Sequence, residues 1–162
     1  MELMEILKLL GLSFLASVGF SVVFRMEPKL LPLAGLGGVL TRIVLITLQQ
    51  HTDNRFVFML LSAMAAALFA ELMAIRLKRP ATVFLYPSII PLIPGDLLYY
   101  AIVGTLIGDT ERITTYGPAC MAAVSGMAVG FVLISTLMHY FRGWYYTKQY
   151  RRRMGGNLRQ GK

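Results

Sequence analysis

Arg79-Pro-Ala-Thr-Val-Phe-Leu-Tyr-Pro-Ser-Ile-Ile-Pro-Leu-Ile-Pro-Gly-Asp-Leu-Leu-Tyr-Tyr100 is apolar enough to lie in a bilayer, yet Pro87, Pro91, Pro94 and Gly95 keep it from forming one plain helix. Each proline lacks a backbone donor, and its ring clashes with the carbonyl four residues earlier. In hydrocarbon a carbonyl freed in this way needs a partner, so broken backbone survives only where protein buries it or a cavity adjoins it. Transporters commonly place binding sites at such interruptions. The stretch therefore points to an all-α membrane protein and to transport.

The rest of the chain agrees. Of its 162 residues, 56% are hydrophobic and 15% charged, with mean hydropathy +0.62. A soluble domain carries roughly 25% charge. The apolar residues fall in long blocks rather than amphipathic stripes, which predicts membrane spans of about 20 residues each. Five crossings can be read, at about 6–24, 30–49, 56–77, 81–108 (the broken one) and 118–141, each near the length that a bilayer requires. Residues 1–144 are read as one bundle and 145–162 as a basic tail. The start, Met-Glu-Leu-Met-Glu, has acids where a signal peptide carries positive charge, so the first apolar run is expected to be a retained span. The single cysteine, Cys120, excludes an intrachain disulfide.

Charge orients the bundle. Arg25 and Lys29 follow the first span, and Arg76, Lys78 and Arg79 the third; Arg142, Lys148, Arg151, Arg152, Arg153, Arg159 and Lys162 follow the last. With five crossings these twelve of the sixteen basic residues share one side. Lysine and arginine enrichment marks the cytoplasmic side. The expected topology puts the N-terminus outside and the C-terminus in the cytoplasm, and it requires the proline segment to cross an odd number of times. Tyr140, Trp144, Tyr145 and Tyr146 suit the inner interface, and the arginine cluster suits anionic membrane lipid rather than nucleic acid.

Small residues recur every four positions, in Ser13/Ser17/Ser21, Ser62/Ala66/Ala70, Gly104/Gly108 and Ala122/Gly126/Gly130. Such faces let helices approach closely. Packing inside the bundle is the simpler reading; contact with another subunit, a homo-oligomer included, is the other.

Three ionisable residues fall at bilayer depth: Arg42, Glu71 and Asp96. Charges there are costly and mark function by default. A rise of about 1.5 Å per residue puts Arg42 about 18 Å and Asp96 about 22 Å from the inner ends of their segments, with Glu71 about 9 Å from Leu77. Arg42 and Asp96 are thus expected to pair near midplane, either as structural glue or in moving substrate or protons. Glu71 is expected nearer the inner surface. Asp96, directly after Pro94-Gly95, is expected to cap the outer half-helix. Tyr86, Tyr99 and Tyr100 flank the break and could offer hydroxyls to a polar ligand. His51 and His139 read as surface or interface residues. Neither a metal-ligand spacing, a phosphate-cradling glycine motif nor a nucleophile–base arrangement is visible, so no cofactor, no metal and no enzyme activity are expected.

At Pro91-Leu-Ile-Pro-Gly95, followed by Tyr99-Tyr100, the chain resembles the threonine/serine exporter family, and in particular its short, separately encoded membrane subunit. The resemblance extends over Ala16-Ser-Val-Gly-Phe-Ser-Val-Val-Phe24, Pro28, the run from Gly35 to Arg42, and Pro80, covering most of residues 10–105. It implies a two-component secondary exporter in the bacterial cytoplasmic membrane, driven by the proton motive force, with a longer companion subunit. Threonine, serine or dicarboxylates such as succinate are the implied substrates. Pro91, Pro94, Gly95 and Tyr99 are the motif positions it carries over, and Arg42 matches a basic residue in the second span. Asp96 departs from the family pattern, where a small or apolar residue follows the glycine. The expected function is export of small polar metabolites; the alternative is a non-transporting scaffold or assembly subunit.

Overall fold

Chain punctuation sets the helix ends. The structure is a computed structural model that describes the backbone of residues 3–157 and the side chains of residues 4–141. The described residues form six helices: α1 (Leu3–Val23), α2 (Leu31–His51), α3 (Arg55–Leu77), α4 (Thr82–Ile89), α5 (Gly95–Ile107) and α6 (Thr110–Asn157). Short 3-10 turns cover Pro28–Leu30 and Ile90–Leu92, and no strand occurs among the described residues. The protein is all-α. Left-handed residues follow α1 and α3: Arg25 at φ 55° and Lys78 at φ 54°. The Lys78 N–H returns to the Ala74 carbonyl, the kind of cap that ends a helix and turns the chain. Asn54 starts α3 by accepting the Val57 N–H on its side chain at 3.3 Å.

Among the described residues four segments are long and apolar enough to cross a membrane: Met4–Val23, Pro28–His51, Arg55–Leu77 and Thr110–Phe141. The broken fourth segment meets the same test only as a pair, Thr82–Leu92 with Gly95–Ile107, bent by 61°.

Glycines fix the direction of the last helix. A Cβ on Gly126 would fall 2.5 Å from the Phe56 carbonyl oxygen, and one on Gly130 would fall 2.5 Å from that of Leu60. Matching steps of four along both helices mean that α6 runs parallel to α3. The chain leaves α3 at one end and enters α6 at the other, so α4 and α5 together carry it the length of the bundle. This supports the odd crossing that the charge pattern requires. The small-residue faces pack inside the chain: Ser17, Ser21, Ser62, Ala66 and Ala70 are buried, and α3 against α6 is its largest helix contact.

The final helix differs from expectation. It begins at Thr110 rather than near residue 118. Gly108, at φ 70°, turns the chain, and Asp109 accepts the Arg112 N–H at 3.2 Å, so the expected outer loop is nearly absent. Pro118 lies inside the helix. Membrane helices tolerate this because neighbouring groups satisfy the freed backbone. The hairpin is antiparallel, with the Tyr100 and Tyr116 rings 5.0 Å apart. Gly126 lies beside Phe56 and Leu60 at the start of α3, and of the α6 residues before it Tyr116, Ala119, Cys120 and Ala123 pack in the core cluster that holds Leu45, Phe58 and Leu97. Trp144, Tyr145, Tyr146 and the tail arginines lie outside the described side chains.

Candidate functional site

The prolines of the fourth segment create a definite list of backbone groups that need partners. Pro91 cannot donate to the Pro87 carbonyl four residues back. The Ser17 hydroxyl from α1 donates to that carbonyl instead, at 2.9 Å, with both residues buried. Pro94 cannot serve the Ile90 carbonyl, which accepts the Ile93 N–H at 3.3 Å and closes the 3-10 turn. The Gly95 N–H turns to the Ile93 carbonyl at 2.8 Å, so it does not serve Pro91. Arg42 Nη1, from α2, reaches the Pro91 carbonyl at 3.4 Å. Two neighbouring helices thus supply what the break takes away.

Glycine on α2 makes this approach possible. A Cβ on Gly38 would overlap the Ser17 side chain, and one on Gly37 would overlap the Ser88 hydroxyl. Gly35 similarly admits the Phe14 ring. Ser88 bonds back to the Phe84 carbonyl at 2.8 Å, and Thr41 to that of Gly37 at 2.9 Å. Replacing Ser17 with Ala leaves a buried carbonyl without a partner, which costs about 1–3 kcal/mol. We expect a lowered thermal midpoint for Ser17→Ala in detergent; an unchanged midpoint would show that the contact is idle.

The structure brings Arg42 and Pro91 together but keeps Asp96 apart. Arg42 is half-buried, and its Nε is shut away from solvent without a hydrogen-bond partner. Asp96 is exposed, and its side chain forms neither the expected ion pair with Arg42 nor a helix cap. The helix starts two residues earlier than capping by Asp96 would need, with Pro94 in the capping position and Asp96 already in the first turn. Pro94 is buried and Gly95 exposed, while Tyr99 stands 61% exposed on α5, 5.4 Å in ring separation from Tyr100. Glu71 is half-buried on α3, with one carboxylate oxygen screened from solvent. No cluster of metal-ligating side chains occurs among the described residues. Sequence reasoning missed Ser17 as a holder of the break. The proline spacing shows that the Pro87 carbonyl is freed, but not which neighbouring span answers it.

The model of the family described as Threonine/Serine exporter, ThrE, matches residues 10–137, which run from α1 through the broken segment into α6. The chain belongs to that family. No curated relative and no solved structure matches it. Membership in the threonine/serine exporters supports a membrane role in export. The Arg42, Ser17 and Pro87–Gly95 constellation lies within the matched span of the exporter family.

Proposed function

We propose that the chain is the membrane subunit of a two-component secondary exporter in the bacterial cytoplasmic membrane. It would move threonine- or serine-type amino acids, or a dicarboxylate, outward at the expense of the proton gradient. The observation that carries this reading is Arg42 at the break. Its bond to Pro91 is long, and N–H···O bonds beyond about 3.2 Å are weak. Its Nε is buried without a hydrogen-bond partner. A guanidinium at bilayer depth with donors to spare suits a carboxylate, the group that amino acids and dicarboxylates share. The substrate site would lie at Pro91, Pro94 and Gly95 with Arg42 beside them, and Glu71 would line the path toward the cytoplasm.

Asp96 and Tyr99 fit a different task. With Ile102 and Leu106 they form an exposed stripe on α5, a helix that rests chiefly on α6. A carboxylate on an otherwise apolar membrane face is costly against lipid. We assign this stripe, on the α5–α6 hairpin, to the longer companion subunit, with a donor on the companion meeting Asp96. The N-terminus lies outside and the C-terminus in the cytoplasm, in line with the basic residues.

A scaffold role is the second reading, favoured by the purely structural Ser17–Pro87 contact. Efflux decides between them. Cells are loaded with labelled threonine, serine or succinate, and efflux is followed with the companion present, with and without this chain. Exporter function predicts efflux of at least one compound that needs this chain and collapses with the proton gradient. Normal assembly with no chain-dependent efflux of any of the three would favour the scaffold.

A further inference from the structure

Where α1 and α3 finish and α2 and α4 begin, a cleft of about 400 Å3 opens. Phe24, Leu30, Val83, Tyr86 and Pro87 give it largely apolar walls, and the exposed Arg25, Glu27 and Arg79 add charge. The left-handed residues after α1 and α3 bring these charges together. Arg79 Nη2 pairs with Glu27 Oε1 at 2.6 Å. Arg25 forms no ion pair among the described residues. Residues 25–29 and 76–79 together hold five cations, Arg25, Lys29, Arg76, Lys78 and Arg79, against the single acid Glu27.

The combination is selective. Apolar walls do not suit a small polar metabolite, and the surplus positive charge does not suit a neutral lipid. The cleft lies at the helix ends, the height at which a bilayer presents phosphate. Basic pockets between membrane helices on the cytoplasmic side bind anionic headgroups. We propose that this cleft holds one anionic phospholipid, its phosphate on Arg25 and Arg79 and an acyl chain along Phe24, Val83 and Tyr86. The inference rests on the membrane reading and is independent of what the chain exports. Because Pro87 belongs both to the cleft and to the break, the lipid wedges between α1 and α4 beside the Ser17–Pro87 contact.

Native mass spectrometry of the purified chain in non-ionic detergent tests this, with phosphatidylglycerol and phosphatidylcholine of matched acyl chains. One phosphatidylglycerol is expected to be retained over phosphatidylcholine by about fivefold or more. Arg25→Gln, which leaves the Arg79–Glu27 pair intact, should lower that preference by about fivefold. Val83→Trp should expel the lipid with every charge still in place. Equal retention of the two lipids, or a preference that survives Arg25→Gln, would overturn the proposal. So would lipid retained by Val83→Trp. Displacement by excess inorganic phosphate would make this a free-phosphate site and not a lipid site.

Discussion

Arg42→Ala is expected to lower export per assembled complex by about ten- to hundredfold, the range for losing a hydrogen bond to a charged group. The expectation follows from how little of the guanidinium is committed to structure. Its one observed bond, to the Pro91 carbonyl, is 3.4 Å long, and its Nε has no hydrogen-bond partner. Removing a side chain so loosely tied should leave the bundle folded. Arg42→Lys keeps the charge but not the planar fork, so export by that variant should fall between wild type and alanine. The informative quantity is the rate divided by the amount of complex recovered from the membrane. A lower yield with an unchanged rate per complex would assign Arg42 to structure and remove it from the substrate path.

Gly126→Leu should prevent normal folding. Its Cβ would sit 2.5 Å from the Phe56 carbonyl oxygen and 3.3 Å from the Leu60 nitrogen. Both are helical backbone, which cannot rotate aside as a side chain can. Relief requires α6 to move away from α3, and this is the largest helix contact in the chain. Overpacking of this kind typically costs 1–3 kcal/mol, and a clash against backbone belongs at about 3 kcal/mol or above. Gly117→Leu is the matched control on the same helix, because a Cβ there meets open space. Recovery of monodisperse protein in detergent and its thermal midpoint report the outcome. A Gly126→Leu protein as abundant and stable as the control would mean that α3 and α6 do not pack in this register.

Most of the helices were legible because hydrophobic runs bounded by charge and proline have few other ways to satisfy their backbone in a bilayer. The bounds of the first three apolar runs lie close to those of α1, α2 and α3. The start of α6 was not legible. Gly117-Pro118 reads as a boundary, but Asp109 had already begun the helix two turns earlier. The expected Arg42–Asp96 pair failed for a related reason. Rise per residue gives height, and it put the two residues at comparable depth. It gives no azimuth, and beyond a 61° bend Asp96 is exposed and makes no ion pair with Arg42. Ser17 was read as one of a row of small packing residues. Its bond to Pro87 depends on how closely α1 approaches, which Gly38 decides and no local pattern in α1 records. The apolar cleft beside Arg25 was equally hidden, since it forms only where two loop ends and α4 converge.

If substrate passes the break, Gly95 offers the most direct access to it. A side chain at this position meets open space, so Gly95→Cys should be accommodated. The only native cysteine, Cys120, is buried and can be replaced by alanine. In the assembled complex, the rate at which a maleimide labels Gly95→Cys would be measured with and without saturating exported substrate, established by efflux. Substrate is expected to slow labelling, because it occupies the space beside Pro91 and Arg42. Labelling at the same rate with and without substrate, in a complex that still exports it, would contradict a substrate site at the broken segment.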